Sequence, residues 1–236
     1  MIYSIAKYII ITPFPKGMNT IKGMIPSQLY DTLSKEIDEL RPAQKKAVQA
    51  GLLEKKNLLV CTPTASGKTL IAELAAMKSI LEEKKKAIYI VPLKALASEK
   101  YNHLKKRYGA FAKIAISIGN LDSADSYLED FDFIITTSEK LDSLLRHHSP
   151  WIINVSTIIV DEIHLLNDAS RGPTLEIILT LLKDVLKKAQ IIGLSATIGN
   201  PEELSEWLGA ELVQDDWRPV QLSKGIYLNG EIEFFD

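Results

Sequence analysis

The 236-residue chain has a single cysteine, Cys61, so no disulfide can form within it, which favours a reducing compartment. Arginine is nearly as scarce: Arg41, Arg107, Arg146, Arg171 and Arg218 are the full set, and the rest of the 28 basic residues are lysine. Neither sign of charge dominates, since 30 acidic residues leave a formal charge of −2 and a pI near 6.1. Bulk electrostatics therefore does not announce a nucleic-acid binder, though a local basic strip on a neutral protein remains compatible with one. Long apolar runs are missing too. The apolar stretch 8–11 stops at Thr12 and Pro13, far short of the roughly 20 residues of a membrane span, and no small-residue cleavage site comes after it. A cytoplasmic protein with no membrane partner is expected. The hydrophobic share of 46% excludes a disordered or fibrous chain, and the length suffices for a sizeable core.

Residues 1–24 differ from the rest of the chain, with two prolines around Phe14, two glycines and three methionines, and read as a loosely attached arm or as a stretch preceding a later start at Met18 or Met24. From residue 25 the pattern is regular. Leu29, Leu33, Ile37 and Leu40 recur at helical spacing behind a candidate N-cap, Ser27, and Pro42 restarts a helix that Gly51 ends. Short apolar runs then alternate with amphipathic stretches. The runs are 58–61, 87–91, 114–118, 133–136, 157–160 and 190–194; the helical stretches are 70–81, 96–108, 139–145 and 175–186. Strands apolar throughout and separated by helices predict an α/β fold with a mostly parallel sheet covered by helices on both faces. Right-handed crossovers put all the strand C-terminal ends on one edge, where ligands bind. After Trp217 the pattern turns to short β-like pieces, 220–226 and 231–235.

Three motifs fall at strand ends. Thr62-Pro63-Thr64-Ala65-Ser66-Gly67-Lys68-Thr69 directly succeeds the run 58–61 and opens a helix, the context of a phosphate cradle. There, backbone N–H groups point at phosphate oxygens, Lys68 reaches the β- and γ-phosphates and Thr69 ligates Mg²⁺. The usual first glycine is replaced by Thr62. Asp161-Glu162-Ile163-His164 comes after 157–160. Two carboxylates at the tip of a buried strand are costly unless neutralised, as by Mg²⁺ held on Asp161, with Glu162 then placed to polarise a water. Surface acids that cap the next helix explain the same pair about as well. Ser195-Ala196-Thr197 comes after 190–194, and alone it reads as a turn with an N-cap. What gives the three weight together is their order and their shared place at strand ends.

The series resembles the superfamily 2 nucleic-acid helicases, with 62–69 as motif I, 161–164 as motif II in its DExH form, and 195–197 as motif III. Leu40-Arg41-Pro42-Ala43-Gln44 resembles the adenine-reading segment upstream of motif I, Pro92-Leu93-Lys94-Ala95-Leu96 resembles motif Ia, and Thr136-Thr137-Ser138-Glu139-Lys140 resembles motif Ib. Residues 140–146, 167–173, 207–211 and 217–219 further resemble the superkiller-like branch, and within it the archaeal Holliday-junction-migration type of repair helicase. The resemblance covers residues 25–226. Ala65 stands where many relatives carry glycine, a departure expected to tighten the loop.

The resemblance implies a RecA-like P-loop domain over residues 25–216, binding ATP and Mg²⁺, with residues 217–236 beginning the connection to a second RecA-like domain. The arginine-bearing segment that such a second domain contributes is not found in this sequence. By the same resemblance Gln44 selects adenine, and Lys68, Asp161 and Glu162 are catalytic. Thr69 and Asp161 hold the metal, and His164, Ser195 and Thr197 couple nucleotide state to the strand. Lys94, Thr137 and Arg146 would meet the backbone of a single-stranded or forked nucleic acid, DNA before RNA, although each is also what an ordinary surface residue looks like. Alternatives are an RNA-processing helicase of the same branch, a nucleotide-dependent binding module, and, further behind, a P-loop kinase. Cys61 reads as a small buried residue, and Trp151, Trp207 and Trp217 as packing anchors.

Overall fold

The computed structural model describes residues 18–119, 121, 125–220, 224–228 and 231–235. Its elements in chain order are α1 (Ser27–Leu33), α2 (Pro42–Gln49), β1 (Leu58–Cys61), α3 (Lys68–Glu83), β2 (Lys86–Val91), α4 (Lys94–Tyr108), β3 (Ile114–Ser117), β4 (Phe133–Thr137), α5 (Ser138–Arg146), β5 (Val155–Val160), α6 (Gly172–Val185), β6 (Gln190–Ser195), α7 (Pro201–Leu208), β7 (Glu211–Gln214), β8 (Lys224–Leu228) and β9 (Glu231–Phe235). The first seven strands form one sheet in the order β3-β4-β2-β5-β6-β1-β7, every pairing parallel, while β8 and β9 make a separate antiparallel hairpin. The expected α/β class is thus what the chain adopts.

Alternation of side chains along each strand divides the interior in two. Leu58, Val60, Tyr89, Phe133, Ile159 and Leu194 face α1 to α4. Leu59, Cys61, Ile88, Ile134, Ile158 and Val160 face α5 to α7. Each fully buried Leu or Ile contributes about 1.5–3 kcal/mol, so two such layers hold the sheet without any cross-link. The stripe Leu175, Ile178, Leu179 and Leu182 of α6 is buried as its spacing predicts, while Ile177, Leu181 and Val185 on the opposite side are exposed.

Several boundaries differ from the sequence expectation. The helix begun at residue 27 ends at Leu33, although Leu40 is buried and Ile37 half-buried, because the backbone of Asp38 is tied to the N–H of Met18 instead of continuing a helix. Pro26, not Ser27, occupies the N-cap position. Met18 and Ile21 are packed into the core, so the compact body takes in residues expected to belong to the arm; residues 1–17 lie outside the described part. Strand β7 carries no strong sequence signal, since only Val213 of its four residues is buried.

The strand order sets up the site. β5, β6 and β1 are adjacent at the middle of the sheet, so the segments that leave their C-terminal ends lie side by side. β2 flanks β5, which brings Tyr89 of β2 close to Asp161.

Candidate nucleotide site

The loop 62–67 joins β1 to α3 and is held from two sides. Thr62 N–H donates to the carbonyl of Ser195 at 3.2 Å, pinning the loop to the end of β6. The hydroxyls of Thr62 and Ser66, both buried, share a hydrogen bond of 2.7 Å. From the other side the start of α2 reaches over: Arg41 Nη1 donates to the carbonyl of Ala65, and Gln44 Nε2 donates to the carbonyl of Gly67 at 3.0 Å. Gln44 Oε1 also accepts from the Arg41 N–H at 2.8 Å, satisfying the N-cap backbone donor of α2 as the N3 residue of a capping box does. Gly67 has φ +97°, and a Cβ there would stand 2.3 Å from Gln44 Nε2. The backbone angle calls for glycine, and a side chain there would also push the Gln44 amide away from the Gly67 carbonyl. Ala65 sits at φ +65°, a left-handed conformation that costs an L-residue roughly 1–2 kcal/mol, which accounts for glycine being the commoner residue at the matching place.

Lys68, the first residue of α3, folds back so that Nζ donates to the carbonyls of Thr62 (2.7 Å) and Pro63 (3.1 Å). Burial lowers the pKa of this ammonium, with the carboxylates of Glu162 and Asp161 pulling it back up. Both acids leave the end of β5 opposite the loop. Asp161 Oδ2 accepts from the Tyr89 hydroxyl at 3.0 Å, and Oδ1 accepts from the Glu162 N–H at 3.1 Å. Glu162 has φ +51° and ψ +46°, a strained backbone that turns the chain into the 3₁₀ segment Ile163–Asn167. Its carboxylate lies 3.4 Å from His164 Nδ1, and that same ring nitrogen is 3.3 Å from Ser195 Oγ. Glu162, His164 and Ser195 therefore form one connected line across the ends of β5 and β6.

Thr69 Oγ1 accepts from Lys100 Nζ at 2.9 Å, and that ammonium is also 3.6 Å from Asp161 Oδ2. One cation thus already contacts both residues expected to hold the metal, so their donor set, one hydroxyl and one carboxylate, fits a hard cation that takes its remaining ligands from phosphate and water. Beside Gly67 and Thr69 opens a cavity of about 710 Å³, whose wall includes Arg41, Gln44, Glu73 and Lys100. The Gln44 amide, with two of its four hydrogen-bonding positions used, keeps one donor and one acceptor for a ligand there.

The remaining expected residues divide. Thr197 is exposed, lines a separate cavity of about 210 Å³ beside Cys61, and does not join the line through His164. Lys94 is exposed at the start of α4, just beyond the end of β2. Thr137 is 4% exposed and its hydroxyl accepts from the Lys140 N–H, so its side chain caps the start of α5. Arg146 is exposed, paired with Asp142 at 2.7 Å, and lies at the far end of α5, about 12 Å along the helix axis from Ser138. Cys61 is buried and its thiol is pushed up to about 11, mainly by burial, in keeping with an inert core residue. Trp151 is buried, whereas Trp217 is partly exposed and lies against Arg41.

Tyr89, Lys100 and Arg41 join the site without being singled out by the sequence as site residues. No local pattern marks the first two, because their place depends on β2 being paired with β5 and on α4 crossing the start of α3.

A model of the DEAD/DEAH box helicase family matches residues 41–204. The ATP-dependent DNA helicase Hel308 of Methanococcus vannielii is 55% identical over 207 residues, which is 85% of this chain and 27% of that protein. Hel308 of Methanocaldococcus jannaschii is 59% identical over 207 residues, 85% of this chain and 17% of its own length. Among solved structures, the DUF1998 helicase MrfA bound to DNA and AMPPNP superposes with a TM-score of 0.72 at 31% identity, covering 82% of this chain and 29% of that one. The chain spans less than a third of the length of these relatives.

Proposed function

Because the chain belongs to the DEAD/DEAH box helicase family, we propose that it is the ATP-binding motor domain of an ATP-dependent helicase that acts on DNA in repair or recombination. The observation that carries this reading is the convergence of three sequence-separated motifs on one sheet edge: Lys68 and Thr69, then Asp161, Glu162 and His164, then Ser195. A P-loop kinase has no use for the line from Glu162 through His164 to Ser195. The DNA preference is supported by the names of the Hel308 relatives and by the DNA-bound MrfA structure. By the family resemblance, the parent motor is proposed to step 3′-to-5′ along the strand.

In this reading the backbone N–H groups of the loop and the N-terminus of α3 cradle the phosphates. Lys68 leaves the Thr62 and Pro63 carbonyls to meet the β- and γ-phosphates. Thr69 and Asp161 would hold Mg²⁺, which supplies charge neutralisation across those phosphates. Glu162 orients the attacking water and receives its proton. Gln44 offers its spare donor and acceptor to the adenine edge, on the side of the large cavity. His164 and Ser195 report whether the nucleotide is present, since His164 links Glu162 to Ser195 and the Ser195 carbonyl holds the loop through Thr62. Lys94 and Arg146 provide positive charge for a strand's phosphates, binding without reading sequence. A second RecA-like domain of the parent chain would supply the arginines that stabilise transferring phosphate, so this domain alone is expected to bind ATP and not to unwind.

The test is steady-state ATPase of the longest native chain containing this sequence, titrated with single-stranded DNA and with RNA of matched sequence. Stimulation by DNA alone is the expected result. Stimulation chiefly by RNA would move the protein to the RNA-processing members of the branch, and none by either would favour a nucleotide-dependent binding module.

A further inference from the structure

Among the described residues, Lys100 is the one cation that touches both expected metal ligands. It sits on α4, and its Nζ donates to Thr69 Oγ1 at 2.9 Å while lying 3.6 Å from Asp161 Oδ2. The side chain is 15% exposed and Asp161 12%, so the pair is shielded from solvent. The ammonium also lies 5.6 Å from the centre of the Tyr89 ring, whose hydroxyl donates to the same Asp161 oxygen. Three elements, β2, α3 and α4, thus fix one positive charge between the ends of motifs I and II.

We propose that Lys100 is a positioning residue that makes metal binding conditional on nucleotide. The inference rests on Thr69 and Asp161 being the metal ligands. A divalent ion and an ammonium cannot share one hydroxyl and one carboxylate oxygen, because like charges at such separations repel strongly in a shielded site. Two protein donors are also too few to strip water from a hard cation unaided. Free metal therefore loses the competition against Lys100. Nucleotide phosphates change the balance by adding ligands for the metal at the same place, and the ion then displaces the lysine. Lys100 lines the 710 Å³ cavity, so its long side chain can swing out with no change in α4. Until displaced, it keeps the carboxylate and the hydroxyl close together and neutralised.

The experiment is a Mn²⁺ titration monitored by electron paramagnetic resonance, with and without ADP, on the chain as it stands. Without ADP, K100Q is expected to bind Mn²⁺ at least about tenfold more tightly than wild type, and K100R, which keeps the charge, to behave as wild type. D161N placed on K100Q should abolish the gain. K100M, close to lysine in length, repeats the test should K100Q fold poorly. An unchanged Mn²⁺ affinity in K100Q and K100M, or an equal gain in K100R, overturns the proposal. D161N alone separates the metal-ligand assignment from the role of Lys100. If it leaves Mn²⁺ binding in the presence of ADP unaltered, the metal-ligand assignment fails; if it weakens that binding while K100Q gains nothing, only the role of Lys100 falls.

Discussion

Lys68 and Glu162 are the residues whose replacement best separates binding from chemistry. Lys68 hydrogen-bonds only to backbone carbonyls at present and Asp161 keeps Lys100 beside it, so the fold should tolerate removal of the ammonium. Lys68→Ala is expected to weaken binding of a fluorescent ATP analogue about 100-fold, the worth of a charge-assisted contact to phosphate, while the protein stays folded with a modestly lower melting temperature. Glu162→Gln in the parent protein should leave ATP affinity within about twofold and lower DNA-stimulated turnover by about 10²–10⁴, as for loss of a general base. Turnover assays beside equilibrium binding distinguish the two variants. These residues are legible in the sequence because each lies in a short motif at the end of an apolar run. Lys100 and Tyr89 are not, since Tyr89 is put in place by the pairing of β2 with β5 and Lys100 by the approach of α4 to the start of α3, and neither has neighbours in sequence that announce it. Thr137 lies in a readable motif, but its capping of α5 emerges only with the burial of the strand end.

At the scale of elements, α3 and α4 are joined by a buried ionic cluster. Glu73 of α3 is 1% exposed; its carboxylate is 2.9 Å from His103 Nε2 and accepts from Arg107 at 2.7 Å and Tyr108 at 2.6 Å. Arg107 continues to Glu36 in the segment after α1. Burial alone would raise the Glu73 pKa, but the His103 hydrogen bond, the Arg107 charge and the Tyr108 hydroxyl outweigh it and hold the carboxyl below its ordinary range. Glu73→Ala removes the buried partner of Arg107, which keeps Glu36, and should cost about 1–3 kcal/mol, measured by urea unfolding at pH 7. Because the folded carboxyl titrates lower than the unfolded one near pH 4.3, its contribution is complete above about pH 5 and is lost as pH falls through the folded value. Between pH 6 and 3 the wild type should therefore lose more stability than Glu73→Gln. Gly172, which opens α6, gives a packing test: a Cβ there would stand 2.2 Å from the carbonyl oxygen of Leu166. Gly172→Ala should lower stability by about 1–3 kcal/mol, read as a lower melting temperature. Helices and inner strands are readable because their apolar patterns are long or unbroken. β7 escapes because it is an edge strand with one buried side chain, and α1 is shorter than its apolar spacing suggests because Leu40 is buried from a segment that is not helical.

For the whole molecule, parallel layering is readable from composition and pattern, but strand order is not, since apolar runs carry no address for their partners. That order has a consequence during synthesis. Within the described sheet β1 pairs only with β6 and β7, whereas β2, β3, β4 and β5 find their mutual partners by residue 160. Leu58–Cys61 is therefore made early and waits for Gln190–Ser195, roughly 130 residues later, or about ten seconds at ordinary ribosomal rates. A nascent chain carries the strand that leads into its phosphate loop as an unpaired apolar edge throughout that interval, the form of β-structure most prone to sticking. Chains released before residue 190 should be recovered bound to chaperones or aggregated, while those extending past Gln214 should resist protease, so that the nucleotide site becomes one of the last parts of this domain to exist.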